Sequence, residues 1–339
     1  MSVRDGWRGA AKLFATTFGA ITNGLTSSMP AAAADRNVDM LIGGQAVIEG
    51  VLMRGLTGYS IAVRKPDGGV AIRKDKLVSV TKKYPFLKFP VLRGSVVLIQ
   101  SLILGMRALN YSTSVASEGK EGEPEMSNAA VGATMGIALL VGVGVFVLAP
   151  LGITNLIRHF LWPAMGNFAY NVIDGALRAL FFFVYILSIS FMDDIRRVFQ
   201  YHGAEHKTVY TFEANEELTV ENARTKSTLH PRCGTSFLMF VMVISIFVFS
   251  LVPSTAIFAV KVGARIVLIP LIAGLAYEVI RFSARHLANP VCRALTRPGM
   301  WLQKITTNEP DDQQLEIAIV ALKEALRFDI IEPEQAAVA

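Results

Sequence analysis

The sequence predicts a mainly α-helical fold: a polytopic membrane helix bundle of about four transmembrane helices, with a small cytoplasmic β-containing unit near the N-terminus. Hydrophobic residues make up 52% of the 339 residues and charged residues 18%, whereas a soluble domain carries about 25% charged residues. The mean hydropathy is +0.44, and the apolar residues form blocks of the length that crosses a bilayer. Short β-branched runs on both sides of a Pro-Asp-Gly-Gly turn precede these blocks.

The region before the apolar blocks divides into three parts. Residues 1–37 are mildly amphipathic and lack the continuous apolar core of a secretory signal, which predicts a disordered or interfacial arm. Residues 38–89 are expected to form a small β-rich cytoplasmic unit, because the turn at 66–69 has the glycines that a hairpin requires. Residues 90–128 are expected to form a short interfacial helix over 90–106, followed by an acidic linker.

Four apolar segments predict the spans. Two lie in the region 129–192 and two in the region 235–285, with the bounds Ala129–Ala149, Leu177–Met192, Phe237–Val252 and Val262–Ile280. Glycines in the first segment suit close helix packing, either within the chain or in a homo-oligomer. Residues 286–339 are expected to form a cytoplasmic tail with an amphipathic helix.

Basic residues orient the predicted bundle. Sixteen Lys and Arg residues precede residue 129 and six lie within 193–234, while few lie in the other connections. Because cytoplasmic connections are enriched in basic residues, both termini and the segment 193–234 are expected on the cytoplasmic side. The same residues account for the net charge of +6 and the pI of 9.3, so we expect membrane lipids as partners and no nucleic acid. Two cysteines fit a reducing compartment.

The polar segment 193–234 is interpreted as a cytoplasmic His/Cys loop that carries the chemistry. His202 and His206 are four residues apart, so on a helix their rings project from one face and can bind a divalent metal, most simply zinc. Glu205 borders the same face. His-x-x-Glu-His is the residue order of the inverted zincins, in which the histidines hold zinc and the glutamate is the general base.

A second pair, His230 and Cys233, follows in a turn that contains a proline and a glycine. Two histidines with the cysteine, or three histidines, would leave a coordination position open for catalysis, whereas four ligands would make a closed structural site. Lys207 or Arg232 could stabilise an oxyanion or bind a phosphate. The alternative is a hydrogen-bonded polar cluster in which Cys233 is simply buried.

Two further glutamates have alternative interpretations. Glu49 either reaches the metal site or points outward from an alternating strand. Glu278 lies in an apolar segment, where an ionisable residue suggests function; its alternative is a salt bridge with Arg281 or Arg285 at the membrane surface.

Four blocks of sequence carry a resemblance to a known family. They are GGQAVIEGVLMRG, YHGAEHKTVYTFEANEELTVENAR, HPRCGTSFL and PGMWLQKITTNEPDDQQLEIAIVAL. Over roughly residues 40–327 the sequence resembles the YqhQ-like family of predicted metal-dependent bacterial membrane proteins, a domain of unknown function. The resemblance implies a multi-pass protein of the bacterial inner membrane. It implies functional roles for His202, Glu205, His206, His230 and Cys233, with Glu49 in the first block, but no substrate.

These observations lead to a principal functional hypothesis and two alternatives. The principal one is a metal-dependent membrane enzyme, a zinc hydrolase at the cytoplasmic face with Glu205 as general base and a lipid-linked or peptide substrate. The first alternative is a non-catalytic scaffold or assembly factor with a structural metal site. The second is a small transporter, suggested by Arg265 and Glu278 within the fourth span and weakened by the lack of evident internal repeats.

Overall fold

The computed structural model describes residues 42–77, 84–118, 128–286 and 288–338. The expected arm at 1–37 and most of the acidic linker lie outside the described residues.

An antiparallel sheet of four strands begins the described chain. Its strands are β1 (Gly43–Val47), β2 (Gly50–Arg54), β3 (Gly58–Arg64) and β4 (Val70–Lys76), and they pair in chain order. The β3–β4 turn falls at the predicted Pro-Asp-Gly-Gly sequence. Gly68 has a φ of +86°, which a glycine adopts without strain, and Asp67 Oδ1 accepts a hydrogen bond from the Gly69 amide at 2.8 Å. The expected small N-terminal β unit is confirmed.

The remainder is mainly helical. A 3₁₀ turn at Pro85–Lys88 precedes α1, and π-helical turns at Gly144–Leu148 and Ile157–Leu161 follow α2 and α3. The α-helices are α1 (Leu92–Ala116), α2 (Asn128–Val143), α3 (Ala149–Leu156), α4 (Asn167–Ile189), α5 (Asp193–Glu213), α6 (Val220–Arg224), α7 (Gly234–Phe249), α8 (Phe258–Val267), α9 (Ile269–Arg285), α10 (Pro290–Thr306) and α11 (Asp312–Val338).

The two central strands, β2 and β3, lie between helices and are buried on both faces, whereas the edge strand β4 is largely exposed. Ala62 of β3 packs with Leu315 and Leu322 of α11 in a core that also includes residues of α5. The neighbouring residues of β3 point the other way and pack with Ala108 and Val115 of α1. Because successive side chains of a strand alternate between faces, β3 is buried along almost its whole length. The C-terminal helix is therefore part of the core that supports α5.

Three helices are long and apolar enough to cross a bilayer. They are α1, the continuous stretch Gly132–Leu161, and α4. A fourth candidate consists of α8 and α9 together, with a bend of 44° between them. The apolar helix α7 has 16 residues and is shorter than these. Three to four apolar helices fit a membrane protein.

Helix α1 is longer than the helix expected over 90–106. In its polar second half the hydroxyl groups of Ser112, Thr113 and Ser114 donate to carbonyl oxygens three or four residues earlier. These internal hydrogen bonds satisfy the hydroxyls without a partner outside the helix, and the whole of α1 meets the length and composition of a span.

The second predicted span, Leu177–Met192, starts later in the sequence than the helix that the structure has there. Helix α4 begins at Asn167 rather than at Leu177 and includes Asp174. Its carboxylate forms ion pairs with Arg178 at 2.9 Å and with Arg265 of α8 at 2.8 Å. Charged residues lower the local hydropathy, so a span predicted from hydropathy stops at them. In the fold these charges pair with each other, and the helix continues.

The fourth predicted span, Val262–Ile280, is not one straight helix. It breaks at Leu268 between α8 and α9, and Pro270 lies in the first turn of α9. Proline lacks an amide hydrogen and its ring obstructs the preceding turn, which is the physical reason for the bend.

Candidate metal centre

Most of the segment 193–234 is helical rather than a loop. Helix α5 carries Asp193 and Asp194 in its first turn, where carboxylates interact favourably with the helix dipole. The helix brings His202 and His206 one above the other, with ring centroids 4.4 Å apart. The expected geometry of this pair is therefore present.

Gly203 explains how α5 approaches the connection between α10 and α11. A β-carbon at this position would collide with the backbone carbonyl of Asn308, whose amide donates to the Phe199 carbonyl at 2.9 Å. A glycine disfavours a helix by about 1 kcal/mol, but here it permits the close contact that brings the backbone of Thr306 to His202.

Both histidines are fixed in the same tautomer by backbone carbonyls. His202 Nδ1 lies 2.8 Å from the Thr306 oxygen, and His206 Nδ1 lies 2.5 Å from the Thr228 oxygen. A carbonyl only accepts, so each Nδ1 carries the proton and each Nε2 presents a lone pair. Metal-binding histidines usually donate the N–H of the ring nitrogen that faces away from the metal to such an acceptor.

Cys233 completes a group of three ligand atoms. It is the N-cap of α7, and its sulfur accepts from the Thr235 amide at 3.4 Å. Cys233 Sγ lies 3.1 Å from His202 Nε2, and the ligand atoms of His202, His206 and Cys233 all lie within 4.8 Å of one another. His206 Nε2 is buried and has no hydrogen-bond partner among the residues that the structure describes. A metal ion bound by these three atoms would satisfy that nitrogen.

His230 lies beside this triad with its ring nitrogens already engaged. Its ring centroid is 5.6 Å from that of His206. His230 Nδ1 accepts from the Arg232 amide at 3.3 Å, and Nε2 lies 3.4 Å from the Glu213 carboxylate. Burial lowers the pKa of His230 to about 4, so the neutral ring donates its Nε2 proton to Glu213. In this arrangement neither nitrogen is free to bind a metal.

Glu205 lies in the wall of the site that faces the β-sheet. Its Oε1 accepts from the Gly44 amide of β1 at 2.9 Å, and burial raises the pKa of its carboxyl group. A β-carbon at Gly44 would lie 2.5 Å from the Leu52 carbonyl oxygen and 3.0 Å from the Glu205 carboxyl carbon. A glycine at position 44 is therefore needed for the amide to reach Glu205.

A small cavity connects these groups. It has a volume of about 70 Å³ and is lined by Gly44, Glu205, His206, Arg232 and Cys233, among others. One ordered water requires about 10–15 Å³ of such space, so the cavity has room for water beside the ligand atoms and the Glu205 carboxylate. Burial lowers the pKa of His206, more than the neighbouring Cys233 raises it, and at neutral pH its ring is uncharged.

The two predicted anion-binding side chains have separate positions. Arg232 lines the cavity and forms an ion pair with Glu213. Lys207 is buried elsewhere on α5, where it donates to the Arg224 carbonyl at 2.9 Å and pairs with Glu309 at 2.5 Å. The structure therefore brings Arg232 to the cavity but directs Lys207 away from it.

Gln303 of α10 also contributes to the site, although no sequence pattern pointed to it. Its side-chain oxygen accepts from the His230 amide at 2.7 Å, and its nitrogen donates to the His230 carbonyl at 2.9 Å. This fully buried amide fixes the turn that leads to Cys233. A glutamine in an amphipathic helix gives no signal of such a contact, and the carbonyls of Thr228 and Thr306 act through the backbone alone.

Glu49 follows neither of its two interpretations. It lies in the β1–β2 turn with a φ of 51°, and its carboxylate binds Arg197 of α5 through two hydrogen bonds of 2.6 and 2.5 Å. Tyr201 donates to the same carboxylate at 3.3 Å. Glu49 thus joins the sheet to α5, away from the three ligand atoms.

Glu278 forms a salt bridge with Arg93 of α1, a partner that the sequence did not suggest; of the two expected partners, the side chain of Arg285 lies outside the described part of the chain. Arg265, the other residue that suggested transport, is paired with Asp174. Both charges have structural partners in the fold.

Comparison with known proteins identifies the family. The family model described as "Protein of unknown function (DUF1385)" matches residues 89–328. The chain is 35% identical over 310 residues to the "Uncharacterized protein YqhQ" of Bacillus subtilis (strain 168), an alignment that covers 85% of this chain and 93% of the relative. No solved structure matches significantly. The chain therefore belongs to the DUF1385 family of YqhQ-like proteins.

Proposed function

We propose that the protein is a metal-dependent hydrolase of the bacterial inner membrane, with a zinc site at the cytoplasmic face. The observation that carries this proposal is the pair of backbone carbonyls that fixes both histidines with their Nε2 lone pairs beside Cys233. The ligands would be His202, His206 and Cys233. Three protein ligands with one open position are the composition of catalytic zinc sites.

The donor set fits a zinc-type cation. Tetrahedral zinc at its usual bond lengths separates nitrogen and sulfur ligands by about 3.3–3.8 Å, and the three ligand atoms here lie within 4.8 Å of one another. A bound divalent metal would supply Lewis acidity and lower the pKa of a coordinated water. Small side-chain rotations of His206 and Cys233 would bring the ligand atoms to these separations.

Glu205 is suited to receive a proton at the wall of the cavity. The Gly44 hydrogen bond occupies Oε1, which holds the carboxylate in place. Burial raises the pKa of this carboxyl group toward the range in which a general base and acid works near neutral pH. We therefore assign proton transfer to Glu205 and leave Lys207 outside the mechanism.

The substrate class follows from position and size. A cavity of about 70 Å³ admits a scissile group and a water but not a whole substrate, so the rest of the molecule would remain outside. A site close to the ends of α4 and α7 suits a lipid-linked or peptide substrate presented at the membrane surface. Arg232 is the cation that lines the cavity and would orient an anionic group there.

The proposed orientation places the metal centre and both termini in the cytoplasm. It is supported by the excess of Lys and Arg before residue 129 and within 193–234, and by the three to four candidate spans. A membrane-impermeant maleimide tests it with two exposed positions, Glu221→Cys near the metal centre and Thr255→Cys at the opposite end of α7. We expect Thr255→Cys to react in intact cells and Glu221→Cys to react only in inside-out vesicles. The reverse pattern refutes the orientation.

The hydrolase proposal is tested with Glu205→Gln. Reconstituted, zinc-loaded protein is assayed with fluorogenic ester, phosphodiester and peptide substrates, and metal content is measured in parallel. Loss of a general base typically lowers the rate by about 10²–10⁴-fold, so we expect that loss with unchanged zinc stoichiometry. Glu221→Gln, an exposed change on α6, is the matched control. Equal rates for Glu205→Gln and wild type, or no hydrolysis by wild type, contradict the proposal.

A second candidate function has its own support. The three ligands come from α5 and from the N-cap of α7, while Thr306 of α10 orients one of them. A metal here would clamp segments that are distant in sequence, which suits a non-catalytic scaffold or assembly factor. In that case Glu205→Gln keeps full function, whereas loss of a ligand abolishes it.

A further inference from the structure

A cavity with Arg158 in its lining lies at the end of the helix bundle opposite the metal centre. Helix α4 begins beside this cavity at Asn167 and ends at Ile189, shortly before α5 begins, and its 23 residues span about 35 Å. Helix α7 follows the same course in reverse: its N-cap is Cys233 and its C-cap is Ser250, whose carbonyl accepts from Asn167. Two helices therefore separate the two sites.

The cavity has a volume of about 460 Å³ and is open on one side. Arg158 lines it together with Asn167 and Ser254. One guanidinium nitrogen of Arg158 is anchored on the Ser254 carbonyl. Within the described ranges the guanidinium makes no other hydrogen bond, and no carboxylate oxygen lies within 4.0 Å of it. Arg158 is thus held in place with most of its donors available.

A buried lysine lies behind this arginine. Lys261 donates to Asn155 Oδ1 at 2.8 Å, to the Ser254 carbonyl at 3.0 Å and to the Tyr170 hydroxyl at 3.2 Å. These three acceptors are neutral, and no carboxylate of the described chain pairs with Lys261. The ammonium also lies 4.7 Å from the centroid of the Tyr170 ring, so its contacts are polar or aromatic and none of them is an ion pair.

The surroundings do not supply the missing negative charge. The next two cations, Arg178 and Arg265, share the single carboxylate of Asp174. Four cations therefore accompany one carboxylate in a part of the bundle made of apolar helices. Buried charge without a counter-charge is strongly unfavourable, and an anion in the cavity would reduce that cost.

We propose that this cavity binds a phosphate group, carried by an anionic lipid or present as free phosphate. A guanidinium offers paired donors that match phosphate oxygens. Exposed apolar side chains favour the lipid as the source: Leu251 of the cavity lining is 82% exposed. Phe160 and Leu161, which follow Arg158 closely in the chain, are 72% and 79% exposed and could contact acyl chains. The proposal is independent of the metal site and adds a ligand site on the other side of the membrane.

The test uses the full-length protein purified in a neutral detergent. Equilibrium binding is measured for dihexanoyl-phosphatidylglycerol, dihexanoyl-phosphatidylcholine and inorganic phosphate. Wild type, Arg158→Gln, Arg158→Lys and the exposed control Arg293→Gln are compared, and each variant is first checked for a monodisperse elution profile. Because hydrogen bonds to charged groups contribute substantially, we expect Arg158→Gln to weaken anion binding by about 10- to 100-fold. Arg158→Lys should be intermediate, and Arg293→Gln unchanged.

Each outcome bears on the proposal. Binding of phosphatidylglycerol alone, sensitive to Arg158, supports the site and identifies a lipid as the source. Binding of inorganic phosphate as well, with the same sensitivity, supports the site and identifies the phosphate group as sufficient. The proposal is overturned if neither anion binds to wild type, or if Arg158→Gln and Arg158→Lys bind them as wild type does.

Discussion

Backbone carbonyls determine which ring nitrogen of His202 and of His206 is free to bind a metal. The carbonyls of Thr228 and Thr306 accept hydrogen bonds from the Nδ1–H groups of His206 and His202, so both Nε2 lone pairs remain for a ligand. His230 has the same side chain but the opposite tautomer, because the Arg232 amide donates to its Nδ1. Three histidines of one segment are thus separated into two metal-ligand candidates and one structural residue by their hydrogen bonds.

Replacing Gln303 is expected to weaken the metal site without touching a ligand. Gln303→Ala removes the two hydrogen bonds that hold the His230 backbone and leaves two buried backbone groups unpaired. We expect metal affinity to fall by about 10- to 100-fold, as for other changes behind a metal ligand, with a lower midpoint of thermal unfolding. Zinc titration with a competing chelator measures the affinity. Gln313→Ala, at an exposed position of α11, should leave it unchanged; equal affinity for Gln303→Ala would contradict this role.

The metal-free protein should lose stability as the pH falls below 6.5. Burial lowers the pKa of His230 from 6.5 to about 4, so between these values the unfolded chain binds a proton that the folded chain does not. The stabilisation is complete above pH 6.5 and is lost as the pH falls toward 4. This difference corresponds to about 3 kcal/mol.

The midpoint of thermal unfolding between pH 7 and pH 4.5 checks this expectation. His230→Gln should show a weaker pH dependence than wild type, whereas His159→Gln, at an exposed position, should not differ. The raised pKa of Glu205 acts in the opposite direction but is common to all three proteins. Equal slopes for wild type and His230→Gln would show that His230 does not titrate as described.

Among the secondary-structure elements, α5 depends on one glycine. Gly203→Ala would place a methyl group against the Asn308 carbonyl and push α5 away from the connection that carries Thr306. Overpacking of this kind costs about 1–3 kcal/mol, and it would also lengthen the His202–Thr306 hydrogen bond. We expect a lower unfolding midpoint and weaker zinc binding. Gly152→Ala is the control, since no described atom lies within 4 Å of the added carbon, and an equal effect of both changes would refute the explanation.

The sequence predicted local patterns well and long-range contacts poorly. The hairpin around Asp67 and Gly68 and the pairing of His202 with His206 depend on residues close in the chain, so their spacing was sufficient. The contacts of Gly44 with Glu205 and of Gln303 with His230 join residues far apart in sequence. No periodicity encodes such contacts, because they arise only when the elements pack.

Charges within apolar helices limited the prediction of the spans. The predicted second span starts at Leu177, after Asp174, and an isolated carboxylate is unfavourable in an apolar helix. In the fold Arg178 and Arg265 pair with it, and α4 continues to Asn167. Pro270 was a visible signal for the break between α8 and α9, but it did not prevent the prediction of one continuous span.

At the scale of the whole molecule, α4 and α7 link two sites of different chemistry. One end carries His202, His206 and Cys233 with a carboxylate and a small cavity. The other end carries a larger cavity with Arg158 on its wall. The sheet and α11 stabilise the first end, since they pack against α5. Loss of either site need not disturb the other, because about 24 Å of α7 lies between them.

The central claim is that the triad of His202, His206 and Cys233 binds a metal and that His230 does not. Metal analysis of purified full-length protein tests it most directly, with wild type compared with His206→Gln, Cys233→Ser and His230→Gln. We predict about one zinc per chain for wild type and for His230→Gln, and substantially less for the two ligand variants. Wild type without metal, or loss of the metal in His230→Gln while Cys233→Ser retains it, would contradict the account.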